Sequence, residues 1–303
     1  MKIGVMLPIA ETDRGLMRRY REIREAALAA ERDGFDAIWV ADHLLFEWED
    51  QPRRGVWESW TLLAALAEAT ERVEIGALVM CSAFRNPALL AKMADALDEV
   101  SDGRLILGIG AGWHEPEFRA FAYPFDHLAS RFEDALRIIA PLVRTGAVDY
   151  RGEYEQAIDC VSLPRGPRES GPPILIGASR PRMLRLTAEL ADAWNTCWLG
   201  RASELPERLQ PMRDACADVG RDPETLELTV GQIVTFPDLD DEDDFPGGTE
   251  QFTFASSDEL AAEWRNFAAH EVSHLIVWPT PYDSQCLALV SAALRTYRDG
   301  NGA

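Results

Sequence analysis

Residues 3–40, IGVMLPIAETDRGLMRRYREIREAALAAERDGFDAIWV, decide the fold. IGVML (3–7) is apolar without alternation, as in a strand covered on both faces. Leu16, Tyr20, Ile23, Ala27 and Ala30 then recur at three- to four-residue spacing, which predicts a helix ending before Gly34. DAIWV (36–40) is a second apolar strand. Strand, helix and strand in this order imply a right-handed crossover and a parallel sheet.

The same rhythm continues outward. A helix is predicted over 59–70, a strand in VEIGALVM (73–80), and a helix over about 87–100 with Pro87 in its first turn. RLILGIGAG (104–112) is the fourth strand, and 127–144 is helical. PPILIGA (172–178), DAWNT (192–196), LELTVGQIVTF (226–236) and HEVSHLIVW (270–278) supply four more strands. Helices are predicted over about 181–190, 205–219 and 284–298. Eight such units predict an α/β fold, a (β/α)8 TIM barrel formed as a single domain over 1–303. An open doubly wound sheet is the alternative, because a strand count does not prove closure.

In a barrel the loops 45–57, 113–126 and 237–251 extend the C-terminal face, where active sites are built. The last begins an acidic insertion at about 237–255, in which residues 238–244 carry six acids in seven. Such a run reads as a solvated loop before it reads as a cation site.

Composition narrows the function classes. The 303 residues hold 51 acids against 30 basic residues, a formal charge of −21. That balance argues against nucleic acid and against an anionic membrane surface as partners. Lysine occurs only at Lys2 and Lys92, which fits either GC-driven codon use or a high-salt cytosol. Five dispersed cysteines without a CxxC pair suggest neither a disulfide framework nor a zinc site. No apolar stretch reaches the roughly 18 residues of a membrane span, and the first apolar run is too short for a signal peptide. A cytoplasmic protein is expected.

Three places could carry chemistry. Asp42 and His43 follow the strand DAIWV directly, where a rigid strand end can present a proton-transferring imidazole. A histidine that merely bonds a loop carbonyl is the equal alternative. GIGAGWHEP (108–116) lets backbone approach a flat ring or a phosphate, although Trp113 breaks the dinucleotide fingerprint and no helix is expected directly after it. IGASRPRML (176–184) places Arg180 and Arg182 at a predicted helix start, a natural anion site. No HExxH or paired-histidine motif supports a metal, no GxSxG elbow is present, and Cys81 suits a buried strand end better than a thiol nucleophile.

Four segments in order, GFDAIWVADH (34–43), IGALVMCSAFRNPALLAK (75–92), SDGRLILGIGAGWHEPEF (101–118) and PPILIGASRPRMLRLTAELADAWN (172–195), resemble the luciferase-like monooxygenase superfamily. They resemble in particular its coenzyme F420-dependent oxidoreductases. The resemblance implies a deazaflavin ring at the C-terminal mouth and a non-prolyl cis peptide near Leu78–Val79 behind it. Asp42 and His43 match the ring-side pair, with His43 the candidate for proton transfer. Cys81, Ala111 and Gly112 match positions lining the cofactor. Ser179, Arg180, Arg182 and Met183 match the phosphate-tail segment, where relatives often carry a Gly-Gly pair, and Gly177 is a further expected cofactor-binding position. F420-dependent sugar-phosphate dehydrogenases carry a glutamate where this chain has Trp113, so an apolar or aromatic substrate pocket is expected, with Glu115 a conceivable substitute acid. The implied reaction is hydride transfer between F420 and a small organic substrate. FMN with a two-component monooxygenase activity, and a flavin- or F420-binding barrel without catalysis, are the alternatives. The resemblance also allows a homodimer and a flavin or F420 reductase as partners.

Overall fold

The computed structural model of the protein describes residues 1–12, 14–239 and 250–300. Its main sheet holds eight barrel strands: β1 (Lys2–Met6), β2 (Ala37–Val40), β3 (Glu74–Ala77), β4 (Leu105–Gly110), β5 (Ile174–Gly177), β6 (Ala193–Leu199), β7 (Glu227–Val234) and β8 (His274–Pro279). All neighbours are parallel. Gly4 lies opposite Ala37, so the unit predicted from residues 3–40 forms as expected. Ile174 of β5 lies opposite Leu107 of β4, and Ile3 of β1 opposite Leu275 of β8. Those pairings close the sheet and exclude the open doubly wound alternative.

Helices α1 (Tyr20–Asp33), α2 (Ser59–Ala69), α3 (Pro87–Val100), α4 (Leu128–Thr145), α5 (Pro181–Leu190), α6 (Leu205–Val219), α7 (Ser257–Ala269) and α8 (Ser284–Asp299) follow the strands in turn. Their ends obey local chemistry. Gly34 takes φ +93° after α1, and the amides of Gly34 and Phe35 return to the carbonyls of Glu31 and Ala30. Asn86 caps α3 by accepting from the Leu89 amide at 3.0 Å. Among the described residues no helix is long and apolar enough to cross a membrane.

Two apolar layers result. The outer one, between strands and helices, holds Ile3, Val5, Ile38, Val40, Leu66 and Leu90. The inner one fills the barrel with Met6, Trp39, Ile106, Leu175 and Ile276, and Leu78, Val79, Trp198 and Trp278 pack on it. Trp39 is fully buried there because its neighbours are glycines. A Cβ on Gly4 or Gly76 would stand 2.6 Å from Trp39 ring atoms.

Several expectations need correction. The third strand is not continuous over 73–80: it stops at Ala77, and Met80–Cys81 pairs separately with Ile109 and Gly110. The break is the Leu78–Val79 peptide, which is cis as the resemblance implied; a second non-prolyl cis peptide, Cys197–Trp198, was not expected. The eighth strand begins at His274 rather than 270, because α7 ends at Ala269 and Glu271 turns the chain with φ +63°. An antiparallel ribbon, Ala147–Arg151 with Gln156–Val161, follows α4 and had no counterpart in the sequence reading. The acidic run falls largely on residues 240–249, outside the described residues.

Candidate active site

The end of β2 is tied down by charge. Asp42, 4% exposed, accepts hydrogen bonds from Ser59 Oγ (2.5 Å), the Cys81 amide (2.7 Å) and Arg85 Nη1 (2.8 Å) and Nη2 (3.1 Å). Arg85 also donates to Glu58, whose carboxylate caps the first turn of α2. One carboxylate thus joins the ends of β2 and β3 to the start of α2. Both of its oxygens are occupied by donors of the chain itself, which ties down the strand end next to His43.

His43 is held from β4. Its Nδ1 lies 2.9 Å from Glu117 Oε1, while Glu117 Oε2 accepts from the Leu44 amide at 2.7 Å. With both carboxylate oxygens accepting, Nδ1 carries the hydrogen and Nε2 keeps the ring's lone pair. The Glu117 side chain is 2% exposed and that of His43 15%, so the dyad is a buried acceptor behind a partly open ring.

Glu117 reaches this place through a helix that the sequence reading denied. Directly after β4, Gly112 turns with φ +81°, and a short helix spans Glu115–Ala120 with Pro116 in its first turn. His114, Glu117 and Phe118 recur at helical spacing and point inward, whereas Trp113 and Glu115 are exposed. The acid beside His43 is Glu117. His114 accepts at Nε2 from the Glu47 amide at 3.1 Å, and burial holds its pKa below the ordinary histidine value, keeping the ring neutral. It thereby pins the loop after β2, whose Phe46 ring lies 4.5 Å from the His43 ring.

The bulge at Leu78–Val79 meets glycines from two neighbouring strands. A Cβ on Gly110 would stand 2.6 Å from Val79 Cγ2, and one on Gly177 3.4 Å from both Val79 methyls. A Cβ on Gly112 would stand 2.6 Å from Cys81 Sγ and from Phe118 Cζ. The strand ends therefore leave a low floor, with Leu78, Val79 and Ala111 partly open on it. Cys81 lies under this floor; burial, aided by Asp42 and Glu117, pushes its thiol up to about 12, which removes it as a nucleophile.

The end of β5 is open by contrast. Ser179 and Arg180 are exposed, and no side chain caps the first turn of α5, so its leading amides are unsatisfied from within the helix. Arg180 has no ion-pair partner among the described residues. Arg182 does: it pairs with Glu133 at 2.7 Å and donates to Ser130 Oγ at 2.9 Å. Met183 is buried, so only its backbone faces this end. A positive helix dipole, uncapped amides and one guanidinium thus meet at this end.

Residues 1–244 match the luciferase-like monooxygenase family. The chain belongs to that family. An F420-dependent glucose-6-phosphate dehydrogenase of Amycolatopsis mediterranei (strain U-32) is 30% identical over 197 residues, 63% of this chain and 57% of that protein. A phthiodiolone/phenolphthiodiolone dimycocerosates ketoreductase of Mycobacterium sp. (strain JLS) is 34% identical over 239 residues, 72% of this chain and 62% of that protein. This luciferase-like chain thus spans only about three fifths of the length of these curated relatives, 57% and 62%. Among solved structures, an F420-dependent secondary alcohol dehydrogenase holding an F420–acetone adduct superposes with a TM-score of 0.79 at 19% identity, covering 98% of this chain and 99% of that one. An F420-dependent tetrahydromethanopterin reductase from Methanopyrus kandleri gives 0.74 at 17%, covering 96% and 97%. At these identities the two structures establish the closed barrel fold alone.

Within that barrel, the residues singled out from sequence separate into two groups. Asp42, His43, Leu78, Val79, Cys81, Ala111 and Gly112 gather around the ends of β2, β3 and β4, and Gly177 joins them across Val79. Ser179, Arg180 and Met183 stand at the start of α5, with Arg182 drawn aside to Glu133. Glu117 and Arg85 were missed. The i, i+3 spacing of His114 and Glu117 around the helix-starting Pro116 was the signal for the first; no local spacing announces the second.

Proposed function

We propose that the protein exchanges a hydride between coenzyme F420 and a small organic substrate, with His43 handling the proton. The observation that carries this reading is the His43 Nδ1 bond to buried Glu117, which fixes one tautomer and leaves Nε2 at the barrel mouth. The named activities of the F420-dependent relatives support it.

The residues suit the cofactor. A flat ring fits the glycine-lined floor at Leu78, Val79, Ala111 and Gly112, where three glycines at the ends of β4 and β5 leave out side chains. An anionic tail fits Ser179, Arg180 and the first amides of α5. When bound, F420 supplies the carbon that gives or accepts the hydride. The chain supplies the rest. His43 Nε2 accepts the hydroxyl proton in the oxidation direction and returns it to the carbonyl oxygen in reduction. Glu117 holds the ring and offsets the imidazolium charge while the proton resides there. The Asp42–Arg85 pair keeps the strand end from shifting beneath it.

Anaerobic incubation tests the reading, with oxidised F420 and an alcohol panel or reduced F420 and a ketone panel, followed by deazaflavin absorbance. Turnover that disappears in His43→Ala is expected. Oxygen uptake with reduced FMN, and none of the F420 reactions, would instead assign a two-component monooxygenase.

A further inference from the structure

We propose that Trp113 is the specificity-determining residue of this site and selects an uncharged alcohol or carbonyl compound with an apolar body. The proton-handling role of His43 is taken from the proposed function; the wall that Trp113 builds rests on its own geometry. The Gly112 turn throws Trp113 outward, leaving it 57% exposed, while the next residue, His114, turns inward and is buried. The Trp113 ring stands edge-on to the His43 imidazole, 5.5 Å between centroids at 79°. Trp48 lies against it, 5.7 Å away at 26°, and is itself 39% exposed. His114 fixes this pair from below, 4.7 Å from Trp48 and 5.1 Å from Trp113.

Two exposed indoles side by side form an apolar surface that water solvates poorly and a flat or alkyl body covers well. Charge argues against a phosphorylated substrate on this wall. Glu49, Asp50 and Glu115 adjoin the two tryptophans in the chain and are exposed. The nearby arginines are already engaged: Arg53 and Arg119 on Glu47 at 2.8 and 3.8 Å, and Arg54 over the Phe46 ring. An anionic group here would meet carboxylates and cations that are already paired.

Calorimetric titration tests the proposal with a series of 2-alkanones of increasing length, glucose 6-phosphate and F420. The samples are the wild-type protein, Trp113→Ala, Trp113→Phe, and Trp57→Ala as a control at another exposed tryptophan. In the wild type, affinity should rise up to about fourfold per added methylene. That gain should fall towards unity in Trp113→Ala, survive in Trp113→Phe and Trp57→Ala, and be accompanied by no glucose 6-phosphate binding. A chain-length dependence unchanged in Trp113→Ala would overturn the proposal, as would glucose 6-phosphate binding as tightly as the ketones. F420 affinity, read on the same samples, should be equal throughout. If F420 fails to bind while the chain-length effect holds, the cofactor reading falls and the wall stands.

Discussion

The two ends of the site are built on opposite principles. At the ends of β2 and β4 both carboxylates are fully engaged: Asp42 holds four donors and Glu117 two, all from the chain itself. At β5 the first turn of α5 has no side-chain cap, and Arg180 reaches into solvent. On the proposed function, a proton-handling ring needs the one orientation that buried charge gives, and a flexible anionic tail needs only the field and donors that the open end offers.

The largest expected effect comes from breaking the fixed end. Asp42→Ala strands the largely buried Arg85 guanidinium and should cost about 4 kcal/mol of stability in urea unfolding, whereas Arg180→Ala should change it by less than about 0.5 kcal/mol. Equal losses would erase the contrast between the two ends. Next, Glu117→Gln should lower turnover about 100-fold and leave F420 affinity unchanged, because only the hold on the imidazole is altered.

Acid should act through neutral histidines. Burial lowers the pKa of His114 below its ordinary 6.5, and that of His274 at the base of the barrel to about 3. As pH falls below 6.5, the unfolded chain takes up these protons before the folded one does. Stability present above that pH should therefore decline with acid, by up to about 1.4 kcal/mol per pH unit for each ring. The His274 share should continue to about pH 3 and vanish in His274→Leu. The smallest effect belongs to the open end: Arg180→Ala should weaken F420 binding about 5- to 10-fold, less at high salt, without altering turnover at saturation.

The barrel was legible because a strand buried on both faces reads as an uninterrupted apolar run, as in DAIWV and LILGIG. The ribbon at 147–161 was not, since of its residues only Ala157 is buried and no apolar run marks either strand. Asp42 and His43 stood out by ending a strand. Arg85 stayed hidden because its partners Asp42 and Glu58 come from other loops, 43 and 27 residues away, and only the closed barrel brings them together. The short helix bearing Glu117 was hidden by the glycines before it, which read as loop although Pro116 marked its start.

Equilibrium binding of F420 and FMN to the purified protein shows whether these two ends together hold F420. F420 should bind at least about tenfold tighter than FMN, and Arg180→Ala should narrow the gap. Equal or tighter FMN binding in the wild-type protein would contradict the F420 reading.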